Sequence, residues 1–193
     1  MIKISHTIIK KLERTPQQNI VIALTGLAAI ATIVIFLLMR PVETALKAVS
    51  PYGVIELEFA WNIERIHQIF GDWTEDLILQ ELNVTLLDYV FLIAYSTFLA
   101  SLTLLVSRRL LTGQLQCIGF YMTLVPFFAA FFDAIENLNL ILMLSSPSNF
   151  PSFSPLIASI SATIKFGLII IVVIFIVVAI LWSLFQRFSD RTE

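Results

Sequence analysis

Four apolar runs dominate this sequence, and each is long enough to cross a lipid bilayer. They cover about residues 20–39 (IVIALTGLAAIATIVIFLLM), 86–106, 118–144 and 156–184. Crossing roughly 30 Å of hydrocarbon takes about 20 residues of α-helix. A helix pairs its own backbone groups, which a loop in lipid cannot do. Composition agrees: 58% of residues are apolar and only 13% are charged, about half the charged share of a soluble domain. These runs predict an all-α integral membrane protein, a four-transmembrane-helix bundle forming a single domain over residues 1–193. The lipid bilayer is its first partner.

Each run has a polar stop. Arg40-Pro41 is expected to close the first, Arg108-Arg109 the second, the loop SSPSNFPSFSP the third, and Gln186-Arg187 the fourth. The first apolar core is too long for an ordinary cleaved leader, so a retained first helix is expected. With alternating helices, Lys3, Lys10, Lys11, Arg14, Arg108, Arg109, Arg187 and Arg191 share one side, against Arg40, Lys47 and Arg65 on the other. The excess of positive residues puts both termini in the cytoplasm, with a bacterial plasma (inner) membrane as the expected location. The segment of about 54–83 is then extracytoplasmic. Ile55, Phe59, Ile63, Ile66 and Phe70 recur near helical spacing there, which predicts an amphipathic helix lying on the outer interface as a cap. Asp72 and Glu75 have capping-box spacing and are expected to open a short helix through Leu82. Trp61 and Trp73 suit the headgroup depth.

The third run carries an unusual insertion, FDAIEN. Asp133, Glu136 and Asn137 are spaced i, i+3, i+4 and share one helix face. Pro126, Ala129 and Ala130 fall on that face, where small residues admit a neighbouring helix, and Pro126 is expected to kink the helix. Glu136 and Asp133 lie roughly 12 and 16 Å below the end of the third run, and Lys165 lies roughly 13 Å into the fourth, at 1.5 Å per residue. Matching depth on consecutive antiparallel helices predicts that Lys165 pairs with Glu136 or Asp133. Ala158, Ser161 and Ala162 share the Lys165 face. Asp88 and Tyr95, seven apart on the second helix, are expected to complete the cluster. Membrane-buried charges pair or line a wet cavity. One lysine for three acids implies that at least one carboxyl is protonated.

Other chemistries find little support. Cys117 is the only cysteine, which excludes an internal disulfide, dithiol redox chemistry and the cysteine-pair mechanism of small four-helix quinone-reducing enzymes. No Glu-x-x-His pair accompanies the carboxylates, and His6 and His67 flank opposite ends of the first helix, so neither a metal nor a haem cofactor is expected. No nucleic-acid motif and no phosphate loop or nucleophile elbow is present. The stretch LIIIVVIFIVVAILW (168–182) has no polar residue, and a channel needs a lined path. A dead-end pocket in the outer half is the expectation.

The succession ELEFAW (56–61), Trp73, LLDYVFLIAYS (86–96) and FDAIEN (132–137) resembles a pattern in small bacterial four-helix membrane proteins of unassigned function. The resemblance covers residues 55 to about 170 and implies shared roles for Asp88, Tyr95, Asp133, Glu136 and Asn137, but no activity. The sterol-isomerase and sigma-2-receptor superfamily is similar in helix count and membrane carboxylates alone. Three functions fit the residues. The first is a polar pocket of Asp88, Tyr95, Asp133, Glu136, Asn137, Ser161 and Lys165 that binds a lipid-like or small amphipathic ligand, with Lys165 on an anionic group. The second is an accessory or structural subunit whose Lys–carboxylate pair only fixes packing. The third is a proton-coupled transporter or membrane enzyme. Small-residue faces at Thr25/Ala29, Ala28/Thr32 and Ser96/Ala100 suit close helix contacts within the chain or in a homo- or hetero-oligomer.

Overall fold

A computed structural model describes residues 11–189. Lys3, His6, Lys10 and Arg191 lie outside them, as does the side chain of Arg187. The elements are α1 (Gln18–Val49), α2 (Val54–Glu58), α3 (Ile63–Asp72), α4 (Glu75–Leu110), α5 (Gly113–Met122), α6 (Val125–Ser145) and α7 (Ser154–Ser189). The described residues are all-helical, and four spans are long and apolar enough to cross a membrane: α1, α4, α5 continued by α6, and α7.

Residues that are apolar on every side need contact protein along one strip only, because lipid solvates the rest. α1 follows this rule closely. Its buried residues are Val21, Ala28, Ile35 and Leu46, and the first three recur every seventh residue, one narrow seam on a helix. That seam packs along α4; α1 has no extended contact with α7. α7 instead packs along α6, and α6 along α4. Ala129 of α6 and Ala158 and Ala162 of α7 are buried almost completely, so small residues let these two helices approach. Ala28, Ser96 and Ala100, candidates for contacts within or between chains, are buried inside this one.

Several sequence-level boundaries shift. Arg40-Pro41 does not close the first helix, which runs on to Val49 with Pro41 inside it; Pro41 forfeits one backbone bond that the flanking turns outweigh. The helical span is interrupted at the expected kink of Pro126: Thr123 and Leu124 keep α-region backbone between α5 and α6, and Pro126 falls in the first turn of α6, where a missing N–H costs little. No separate helix ends at Leu82: Thr74 caps α4 by accepting from Leu77 N at 3.3 Å, and α4 continues unbroken to Leu110. Asp72 accepts instead from Ser50 Oγ at 3.0 Å.

The cap also differs from a single interfacial helix. It is two helices, α2 and α3, separated at Phe59–Asn62, and Asn62 caps α3 by accepting from Arg65 N at 2.9 Å. Leu57, Ile66, Ile69, Phe70 and Trp73 pack with Leu46, Leu77, Leu140, Met143 and Ala158 in one apolar cluster. The cap therefore plugs one end of the bundle. Trp73 sits buried in that plug, its indole N–H donating to Tyr52 O at 3.2 Å. At the opposite end Arg108 holds the entry to α1, donating to the carbonyls of Leu12, Thr15 and Pro16 at 2.6–2.9 Å.

Candidate functional site

The i, i+3, i+4 spacing of Asp133, Glu136 and Asn137 turns all three inward from α6, and each is at most 2% exposed. Lys165 meets them from α7. Its Nζ lies 2.8 Å from the Glu136 carboxylate and 3.2 Å from Asp133 Oδ1. A third carboxylate, Glu58 Oε1 of α2, stands 3.6 Å away. An ammonium has three donors, so three acids around Lys165 leave it none to spare. Its Nζ also lies 4.6 Å from the centre of the Phe166 ring, a cation–π distance.

α4 closes the cluster. Tyr95 OH donates to Asp133 Oδ2 at 2.8 Å, and Asn137 Nδ2 donates to Asp88 Oδ2 at 2.5 Å. Tyr89 OH adds a staple to Ala134 O at 3.1 Å. Six of the seven sequence-derived residues thus make such contacts, four in a Tyr95–Asp133–Lys165–Glu136 network and two in a separate Asn137–Asp88 pair. Ser161 is buried on α7 beside Ala158 and Ala162, but no described hydrogen bond ties it to the cluster.

Two further carboxyls belong to the site. Glu81 stands two turns before Asp88 on the α4 stripe that continues to Tyr95. It is 1% exposed, and among the described residues its only side-chain hydrogen bond is a long 3.4 Å one from Thr85 Oγ1. Spacing could have found it, since Glu81, Asp88 and Tyr95 recur every seven residues. Glu58 had no such signal. It reaches the site because the chain breaks at Trp61, whose φ of 65° is uncommon for a bulky residue. Ser159 of α7 secures that break, accepting from Trp61 N at 2.9 Å and donating to Glu58 O at 2.8 Å. Burial pushes the Glu58 carboxyl above the usual range, and Lys165 works against that rise. Glu58 Oε2 and Glu81 Oε2 are buried with no hydrogen-bond partner among the described residues. Leaving such an acceptor unpaired costs about 1–3 kcal/mol.

Both orphan oxygens belong to side chains that line a cavity of about 770 Å³. α1 contributes Thr32, Phe36, Met39, Arg40 and Glu43; α2 contributes Val54, Ile55 and Glu58 as a roof. α4 supplies the stripe from Glu81 to Leu99, and α6 and α7 supply Asp133, Asn137, Lys165, Phe166 and Ile169. The cavity lies where α1 leans on α4 without reaching α7. Its roofed end is acidic and its deep end, at Phe98, Leu99 and Ile169, is apolar.

No protein family, curated protein or solved structure matches the chain. The functional reading therefore rests on the chemistry of the cavity. Volumes of roughly 300–1,000 Å³ with mostly apolar walls and a few converging polar groups are typical of small-molecule sites.

Proposed function

We propose that this chain is an integral protein of a bacterial plasma membrane that holds a lipid-like or small amphipathic molecule in the cavity among α1, α4 and α7. In this reading both termini face the cytoplasm and α2 and α3 form an extracytoplasmic cap. Arg108 and Arg109 then stand on the cytoplasmic side, as the distribution of positive charge favours. The observation that carries the proposal is the cavity's graded wall, carboxyls under the roof and phenyl and aliphatic side chains below. An amphiphile matches both ends of such a wall. The slender α1 seam supports it too, because the side between α1 and α7 offers a lateral route from the outer leaflet. The Lys165 cluster has a structural part in this scheme: it ties α2, α6 and α7 together and holds the wall in place.

The test is native mass spectrometry of the protein extracted in mild detergent, beside a Val84→Trp variant. Val84 lines the cavity, and an indole there fills space without removing a charged group. Wild type should retain an amphiphile-sized adduct that the folded variant loses. A wild-type protein free of adduct after several extractions, and unable to take up any added amphiphile, would overturn the proposal. Reporter fusions after residue 193 and within residues 146–153 test the orientation separately, with cytoplasmic and external signals expected respectively.

A further inference from the structure

Resting on the reading of the cavity as an amphiphile pocket, we infer that its ligand carries a positively charged ammonium head, held by Glu81 and Glu58, with its hydrocarbon part running toward Phe98 and Ile169. The charges of the wall decide the sign. Its acids are Glu43, Glu58, Glu81, Asp88 and Asp133, and its bases are Arg40 and Lys165. Lys165 is spent on Asp133, Glu136 and Glu58. Arg40 is exposed at the rim, and Glu43 pairs with Lys47 at 2.8 Å. Nothing is left inside to receive an anionic head, contrary to the expectation that Lys165 would do so.

Glu81 and Asp88, by contrast, have no Lys or Arg at ion-pair distance among the described residues. Glu81 is the sharper marker, because it is almost fully buried, faces the cavity and keeps Oε2 unpartnered. Glu58 Oε2, on a different element, is likewise without a hydrogen-bond partner among the described residues, while its Oε1 stands 3.6 Å from Lys165. An ammonium brings three donors and a charge that neutralises these acids. The aromatic wall adds to the match, since ring faces attract cations and Phe91, Tyr95 and Phe166 all border the space. A bare metal ion fits less well: among the described residues no group of three His, Cys, Asp or Glu side chains is set to hold one. From Glu81 to Leu99 the wall extends roughly 27 Å along α4 at 1.5 Å per residue, room for a head and a chain.

The probes are dodecylamine, dodecanol and dodecanoate, titrated onto delipidated protein in a neutral detergent. Dodecylamine should bind at least about tenfold tighter than dodecanoate, as one charge-assisted hydrogen bond allows. Glu81→Gln should weaken dodecylamine by about 10- to 100-fold and leave dodecanol unchanged. Glu58→Gln reads the same head from the other side and serves if Glu81→Gln does not fold, with size exclusion and helical circular dichroism as the folding check. A second arm offers phosphatidylethanolamine and phosphatidylglycerol together in nanodiscs. Glu81-dependent retention of phosphatidylethanolamine identifies a lipid headgroup as the source of the ammonium; indifference to both lipids with tight dodecylamine binding identifies a free amine. Equal affinity for dodecylamine and dodecanoate, or dodecylamine affinity unchanged in the folded variants, overturns the inference while the pocket stands. Failure of all three chains to bind wild type overturns the pocket itself.

Discussion

Replacing Lys165 by Met removes one charge from a site that holds three carboxylates within 3.6 Å of it. Methionine keeps the length and most of the volume, so packing against Ala158, Ala162 and Phe166 changes little. Electrostatics changes a great deal. If the contacts of Lys165 were ordinary interhelical hydrogen bonds, their loss would cost about 0.6 kcal/mol, the average for such bonds in membranes. Removing one partner of a buried ion pair costs about 3–5 kcal/mol, because the other charge is left uncompensated. Lys165 is 6% exposed and Glu136 is fully buried, which places this pair in the second case. Lys165→Met should therefore lose about 3–5 kcal/mol, a large share of an ordinary protein's stability. The quadruple variant Lys165→Met/Glu58→Gln/Asp133→Asn/Glu136→Gln should recover most of it, since removing a buried charge set whole is often neutral. Unfolding in mixed dodecyl sulfate micelles, followed by helical circular dichroism, measures both. A single variant within about 0.6 kcal/mol of wild type would refute the claim that Lys165 neutralises the buried acids.

Three further outcomes follow from the same structure. Burial raises the pKa of the Glu58 carboxyl in the folded state above its unfolded value, so its contribution is fully present below about pH 4.3 and is lost as pH rises through the folded value. With Lys165, Asp133 and Glu136 facing it, Glu58→Gln should flatten the fall in thermal midpoint between acid and neutral pH; an unchanged slope refutes the assignment. At Gly119 an added methyl would meet Ser107 Cβ at 2.8 Å, and Ser107 is fully buried with its hydroxyl donating to Thr103 O at 2.7 Å. Gly119→Ala should cost about 1–3 kcal/mol by the same unfolding assay, and Ser107→Gly should partly restore it. Ser159→Ala removes the hydroxyl that joins Trp61 N and Glu58 O, for a loss of about 1–3 kcal/mol and faster proteolysis at residues 59–62; equal cleavage of both proteins would show that the break is held by other contacts.

Depth arithmetic found the contacts between α6 and α7 because both helices are regular where it was applied. Over Asp133–Asn137 and Ala158–Lys165, a constant rise and a constant turn carry side chains to predictable places. The same holds for Asp88 and Tyr95 on α4. Glu81 escaped because Asp72 and Glu75 look like the start of a short helix, which assigned Glu81 to the cap rather than to the stripe it shares with Asp88. The real cap, Thr74, begins a helix that does not stop. Glu58 was illegible for a different reason. Its position depends on a left-handed residue at Trp61, a type that seldom adopts that backbone, and on Ser159, remote in sequence. A periodicity count across residues 55–70 runs through the break without noticing it. Sequence spacing reads rigid elements well and tertiary fasteners poorly.

The floor of the cavity bears on whether the buried acids hold something or pass something on. Below Leu99 and Ile169, Val172, Ile176 and Ala179 pack with Val106, Leu111 and Ala130 in an apolar layer. Four buried hydroxyls of that half are turned onto their own helices: Ser101 donates to Phe98 O, Thr103 to Leu99 O, Ser107 to Thr103 O and Thr123 to Gly119 O. Each of these four is satisfied locally, so they do not form a relay. Among the described residues, no buried polar side chain of the apolar layer is bonded to Asp133 to carry a proton onward. Conduction needs a lined path through the whole thickness, whereas retention needs a closed floor, a polar head site and a side entrance. The arrangement of Glu58, Glu81 and Lys165 above an apolar layer supports the proposed retention over conduction.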